Sequence, residues 1–81
     1  MATTREDIRR WLERSKQEPG ATNMVVLCDT FDYSDYPVYV YSAEEARYLV
    51  DTPGTLTKAM ECYNLSLDWE AQLAEPRAWH L

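Results

Sequence analysis

Six residues in one short stretch carry the clearest chemical signal in this sequence, because carboxylates and aromatic rings alternate there. They are Asp29, Phe31, Asp32, Tyr33, Asp35 and Tyr36. The aspartates recur at every third position. Carboxylate oxygens bind hard cations and basic surfaces, and aromatic rings supply large contact areas. The stretch therefore has two candidate uses, a metal site and a surface that binds another macromolecule.

The spacing of the aspartates does not match a known calcium-binding loop. In an EF-hand loop, single residues separate the ligands, and the loop needs a central glycine and a distal glutamate. Here two residues separate successive aspartates, and neither feature is present. Aspartates in turns commonly hydrogen-bond to their own backbone. We therefore predict no metal site and no cofactor.

Residues suited to catalysis are scarce. The one histidine is His80, next to the last residue, and a nucleophile–base pair would have to join it to Cys28 or Cys62. Only two glycines are present, and no nucleophile-elbow, zinc-protease or phosphate-loop motif occurs. The sequence therefore predicts a protein that is not an enzyme, with no catalytic residues.

The surface interpretation extends the acidic aromatic stretch along the strand that follows it. Tyrosine is enriched at binding hot spots, and spaced carboxylates can imitate the phosphates of nucleic acid to a basic groove. In the alternative interpretation, the tyrosines pack beneath a helix and the acidic residues serve solubility. The predicted partner-binding residues are Asp29, Asp32, Tyr33, Asp35, Tyr36, Tyr39 and Tyr41.

The charge distribution indicates the kind of partner. The net charge is −6, and residues 21–81 hold ten of the fourteen carboxylates but only three of the eight basic residues. Such an acidic chain repels nucleic acid and anionic membranes, so we expect a partner protein with a basic surface. Because the first ten residues are polar, we expect no signal peptide, and no apolar run reaches the roughly 20 residues of a membrane span. We expect a cytoplasmic protein with reduced, buried cysteines.

The first half of the chain predicts a helix and a hairpin. An apolar stripe on a charged background predicts a helix over about residues 4–17, capped by Thr3 or, in a second frame, by Thr4. The apolar run 24–28 predicts a strand buried on both faces. Residues 38–41 alternate as a half-buried strand should, and an antiparallel hairpin with a loop of about seven residues joins the two.

The second half predicts further helices. Ser42 caps a helix that runs to about residue 50, and an i, i+3, i+4, i+7 pattern predicts another over about 56–63. Ser66 is expected to cap a last helical segment to about residue 75, and the apolar tail 77–81 should dock on the fold. The prediction is a single α+β domain over residues 1–81, with the order α-β-β-α-α and the hairpin packed against helices.

One resemblance adds a biological context. The run ATNMVVLCDTFDYSDYPVYV at 21–40, preceded by the helix start at 4–12, resembles small uncharacterised proteins of tailed bacteriophages and prophages. Residues 60–66 and 70–73 are similar to the C-terminal half of that group. The resemblance implies a phage protein, and small acidic phage proteins often bind and block host machinery.

Two hypotheses follow. In the first, the chain is a non-enzymatic phage accessory protein that binds and inhibits a host protein through its acidic Tyr/Asp hairpin, as an anti-defence factor or nucleic-acid mimic. In the second, it is a small structural or assembly module that forms a homodimer through hairpin edges or the tail.

Overall fold

The computed structural model describes residues 3–81 and shows a three-stranded antiparallel sheet with helices on both faces. A 3₁₀ turn, Ser15–Gln17, extends the first helix. This is the predicted α+β class, with the antiparallel hairpin packed against helices. In chain order, the elements are α1 (Arg5–Arg14), β1 (Asn23–Asp29), β2 (Ser34–Val40), α2 (Ala43–Asp51), β3 (Thr57–Asn64) and α3 (Trp69–Leu73).

The central strand β1 is buried on both faces, as its continuous apolar sequence predicts. The sheet order is β2-β1-β3. Met24 and Val26 pack on one face with α1 and α3, while Val25 and Leu27 pack on the other with α2. Alternate side chains of a strand point to opposite faces, so a strand covered on both sides needs apolar residues at every position.

The first helix begins in the second of the two predicted frames. Thr4 is the N-cap, and its hydroxyl accepts a hydrogen bond from the Asp7 amide while the Asp7 carboxylate accepts one from the Thr4 amide. Ile8 and Leu12 of α1 are buried against the sheet. The predicted Ser42 cap of α2 is also confirmed, since its hydroxyl accepts a hydrogen bond from the Glu45 amide.

The helix predicted over 56–63 is wrong, because this segment is strand β3. A β-bulge interrupts its register between Val26 and Leu27 of β1, so that Glu61 pairs with Val26 and Ala59 pairs with Leu27. Met60 is the extra residue, and it shifts the side-chain alternation by one position. Because of this shift, Leu56, Ala59, Met60 and Tyr63 fall at the i, i+3, i+4, i+7 spacing that is typical of a helix.

The hairpin is tighter than predicted. Strand β2 begins at Ser34 rather than near residue 38, which leaves a loop of residues 30–33 and places Pro37 inside the strand. Proline cannot donate a ladder hydrogen bond and is tolerated in a sheet only at an edge, the position that β2 occupies.

The last helix is shorter than predicted, and Asp68 rather than Ser66 caps it. The tail docks on β3 as expected. The Cys62 amide donates to the Ala78 carbonyl at 2.8 Å, the His80 amide donates to the Cys62 carbonyl at 2.9 Å, and Ala78 is fully buried. The tail therefore covers part of the outer edge of β3.

A buried carboxylate joins three elements. The same oxygen of Glu61, Oε1, accepts hydrogen bonds from the Arg5 guanidinium at 2.8 Å, the Tyr63 hydroxyl at 2.8 Å and the Ala78 amide at 3.1 Å. Arg5 also donates to the carbonyls of Glu75 and Pro76, each at 2.6 Å. Helix α1, strand β3 and the tail are thus fastened at one point.

We expect Glu61→Ala to lower the free energy of unfolding by about 3 kcal/mol, because it removes the acceptor that Arg5, the Tyr63 hydroxyl and the buried Ala78 amide share. Urea denaturation measures this loss. The matched control is Glu70→Ala, which removes an exposed pair with Arg9 (N···O 2.8 Å) and should cost less than about 1 kcal/mol. Equal losses in the two variants would contradict this role of Glu61.

The Cys62 thiol predicts an alkaline limit to stability. Burial raises its pKa to about 11 from the ordinary 9.0. The folded state therefore favours the neutral thiol, so this stabilisation is complete below pH 9 and is lost as the pH rises to about 11. The loss amounts to roughly 2–3 kcal/mol. Urea denaturation from pH 8 to 11 should show a steeper decline for the native protein than for Cys62→Ala, and parallel curves would refute the assignment.

Candidate functional site

The acidic aromatic stretch lies at one end of the sheet, beside the loop that precedes β3. Asp29 pairs with Thr57 across the sheet, and the Thr30 amide donates to the Leu56 carbonyl at 2.9 Å. We call this region, residues 29–36 and 54–58, the loop end.

Two aspartates fold the hairpin loop back on itself. Asp29 Oδ1 accepts a hydrogen bond from the Phe31 amide at 2.8 Å, and Asp32 Oδ1 accepts from the Ser34 amide at 3.0 Å and the Ser34 hydroxyl at 2.7 Å. The Ser34 hydroxyl and amide lower the pKa of Asp32, so its carboxylate is ionised at neutral pH. These turns give the loop a defined shape without burying its side chains.

Three large apolar side chains stand exposed on this framework. Phe31 is 82% exposed, Tyr33 73% and Leu56 63%. Tyr33 and Leu56 both have a φ of 59°, the left-handed region that bulky residues rarely adopt. The fold therefore holds both residues in an unfavourable backbone conformation while leaving their side chains in solvent.

The next two predicted residues point to opposite faces of β2. Asp35 pairs with Cys28 and lines a cleft of about 250 Å³ beside Arg5 and Glu61, on the face that α1 covers. Tyr36 pairs with Leu27, whose side chain packs on the α2 face, and is 38% exposed. These two residues therefore lie at the margin of the loop end, on opposite faces of the sheet.

The last two predicted tyrosines lie away from the loop end. Tyr39 packs against the α1 core, and its hydroxyl donates to the Trp11 carbonyl at 2.6 Å; this burial raises its pKa. Tyr41 follows the opposite end of β2, and its hydroxyl donates to Glu18 at 3.0 Å, which raises its pKa. The interpretation that tyrosines pack beneath a helix therefore holds for Tyr39, while Tyr33 is exposed. The structure brings together Asp29, Asp32 and Tyr33, with Asp35 and Tyr36 at the border.

Sequence reasoning omitted Phe31 and Leu56 from the predicted site. Phe31 stands between two turn-forming aspartates, a position that indicates an exposed loop tip. Leu56 was placed on the inner face of a helix that does not exist, so its position could not be foreseen.

The carboxylates of the loop end do not converge. Asp29 and Asp32 bond to their own loop, and Asp35 lies on the α1 face. Within residues 3–81, no group of three or more His, Cys, Asp or Glu side chains is arranged to hold a metal ion. In the same part of the chain, no helix has the length and apolar character needed to span a bilayer.

Comparisons with known proteins identify no relative: no family model matches the chain, and no curated protein and no solved structure is significantly similar to it.

We expect Leu56→Asn to raise the free energy of unfolding by up to about 1 kcal/mol, because asparagine tolerates the left-handed conformation and the exposed leucine contributes little burial. Urea denaturation measures the gain. The matched control is Leu67→Asn, which replaces a leucine that is 51% exposed and has no left-handed backbone; its effect should stay within about 0.5 kcal/mol. A loss of stability in Leu56→Asn would show that Leu56 packs in solution.

Proposed function

We propose that this protein is a binding module that presents its loop end to a partner protein with a basic surface. One observation carries the proposal: Phe31 is 82% exposed at the tip of a loop that hydrogen bonds hold on both sides. A large aromatic side chain in water has no stabilising role in the folded monomer. Its burial against a partner would remove a large apolar area from water.

The loop end has the composition of a binding hot spot. Phe31, Tyr33 and Leu56 each expose apolar surface in this region, and Asp29 and Asp32 add negative charge to the same loop. Interfaces commonly combine an apolar centre that becomes desolvated with a polar rim that stays wet. Because the loop is already ordered, less conformational entropy is lost on binding.

The partner we propose is a host protein, since the central run of the sequence resembles phage proteins. The chain would act in the bacterial cytoplasm as a non-enzymatic inhibitor that covers a basic surface of that protein. If this surface is a nucleic-acid groove, the aspartates replace phosphates and the rings of Phe31 and Tyr33 replace stacked bases. An anti-defence factor would work in this way.

The alternative function is self-association, in which the edge strands of two copies pair. The edges of this sheet give it less support. Pro37 removes a donor from the middle of edge strand β2, and Asp35 places a carboxylate beside it; both features hinder strand pairing. The tail covers part of the β3 edge. Light scattering at high protein concentration tests this alternative, and a stable dimer would favour it.

The test of the proposed function is affinity capture from bacterial lysate at low and moderate salt, read by mass spectrometry. We expect one basic partner whose recovery falls as salt rises, since screening weakens attraction between exposed charges. We expect Phe31→Ala to weaken binding of the purified partner about 30-fold, the effect of losing a hot spot of roughly 2 kcal/mol. Asp32→Lys should weaken it as well.

Tyr41→Ala is the matched control, because Tyr41 is 50% exposed and lies at the opposite end of β2. It should leave the affinity unchanged. Equal binding by the native protein and Phe31→Ala would refute the loop end as the binding surface, and equal losses in Phe31→Ala and Tyr41→Ala would point to a general loss of structure. Circular dichroism of each variant separates these cases.

A further inference from the structure

Left-handed backbone is concentrated at the loop end. Within residues 3–81, four residues have a positive φ, and three of them lie there: Tyr33 and Leu56, each at 59°, and Gly54 at 109°. The fourth is Gly20, which precedes β1. Glycine adopts this conformation without strain, whereas a larger side chain makes it costly. Tyr33 and Leu56 therefore stand where glycine or asparagine would suit the backbone better.

Packing in the folded chain does not account for these two side chains. Tyr33 is 73% exposed and Leu56 is 63% exposed, and neither belongs to the apolar clusters on the two faces of the sheet. A residue that is held in a sparsely populated conformation persists only where the surrounding structure imposes it, and such residues cluster at functional sites. The two positions are therefore candidates for contact with a partner.

Backbone hydrogen bonds impose both conformations and join the two loops. The Tyr33 amide donates to the Asp29 carbonyl at 2.6 Å, and the Thr30 amide donates to the Leu56 carbonyl at 2.9 Å. Asp29 also pairs with Thr57 across the sheet. Two loops that are distant in the sequence are thus tied to the same two residues of the hairpin, and both expose their side chains at one end of the sheet.

The aliphatic side chain of Leu56 restricts the kind of surface that the loop end fits. Leucine does not stack as a nucleic-acid base does, and it carries no charge that could replace a phosphate. A groove that binds nucleic acid offers cations and aromatic faces, so it gains little from this residue. Burial of Leu56 stabilises a complex only where the partner offers apolar surface of its own.

The charged residues of the loop end define the remainder of that surface. Three aspartates, Asp29, Asp32 and Asp35, stand against a single cation, Lys58. Complementary charges across an interface favour association with the correct partner, and they are usually placed at the wet rim of the interface. The surface that matches the loop end is therefore apolar at its centre and basic at its rim.

We infer that Tyr33 and Leu56 are contact residues, held in left-handed conformations so that both enter an apolar pocket of a partner protein that lysine or arginine residues flank. This inference rests on the proposed function and narrows it, because it excludes a nucleic-acid groove as the target surface. Stability is given up in the free protein, and in exchange the two loops are already in their binding conformation.

The first test introduces the photo-cross-linker p-benzoyl-L-phenylalanine at position 31, 33, 56 or 67 of the full chain and irradiates each variant in bacterial lysate. Position 67 is the matched control, because Leu67 is 51% exposed and has no left-handed backbone. We expect positions 31, 33 and 56 to cross-link to one and the same protein, with position 56 attached to apolar residues of a segment that also holds lysine or arginine. Position 67 should not give this adduct.

The outcomes separate the inference from the proposed function. An adduct at position 31 without one at 33 or 56 would overturn the inference and leave the proposed function standing. No adduct at any of the three positions would overturn both. Attachment of position 56 to a groove without apolar residues, or an equal adduct at position 67, would also overturn the inference.

The second test measures the affinity of two Leu56 variants for the purified cross-linked protein. Leu56→Met and Leu56→Gln introduce side chains of similar length at the same left-handed position, so the two variants differ chiefly in polarity. We expect Leu56→Met to bind within about twofold of the native protein and Leu56→Gln to bind at least about tenfold more weakly. Since both side chains stand in solvent in the free protein, the urea midpoints should agree. Equal affinities of the two variants would overturn the apolar pocket.

Discussion

The fold depends on one buried carboxylate. Glu61 is 6% exposed, and its Oε1 accepts hydrogen bonds from Arg5, Tyr63 and Ala78, which belong to the first helix, the last strand and the tail. A carboxylate in such a position is costly unless it is paired and hydrogen-bonded, so these three donors must be in place together. The docking of the tail and the placement of α1 are therefore linked through a single group.

The same carboxylate explains why the sequence was misleading at β3. Glu61 and Tyr63 must face α1 while Ala59 faces α2, and only an extra residue in the strand allows both. The bulge breaks the two-residue alternation, and the charged residue occupies a position where an apolar one would indicate a strand. Strand β1 and helix α1 were predictable because their apolar patterns follow one period throughout. A pattern that depends on a partner distant in the chain, such as Arg5 for Glu61, cannot be recognised locally.

Part of the candidate site could also be predicted from the sequence, namely the part that depends on local turn chemistry. The aspartates and Tyr33 lie in a loop whose turn chemistry is local, and the structure places them together. Tyr39 and Tyr41 were grouped with them because alternation along a strand suggested a common face. In the structure, Tyr39 packs against α1. Tyr41 lies beyond the far end of β2, away from the loop end, and its hydroxyl bonds to Glu18. Leu56 joins the loop end through a single long-range hydrogen bond, which no local pattern contains.

The ion pairs of arginine and lysine are concentrated in the N-terminal segment. Within residues 3–81, the ion-paired arginine and lysine residues are Arg5, Arg9, Arg10 and Lys16, all in the first helical segment. The carboxylates of the loop end form no ion pair with any described residue. Most of the positive charge of the N-terminal segment is thus neutralised at close range, whereas the negative charge of the loop end acts on the surroundings. Because the charged side chains of the loop end, Asp29, Asp32, Asp35 and the single cation Lys58, leave an excess of negative charge, the proposed binding surface favours a positively charged partner.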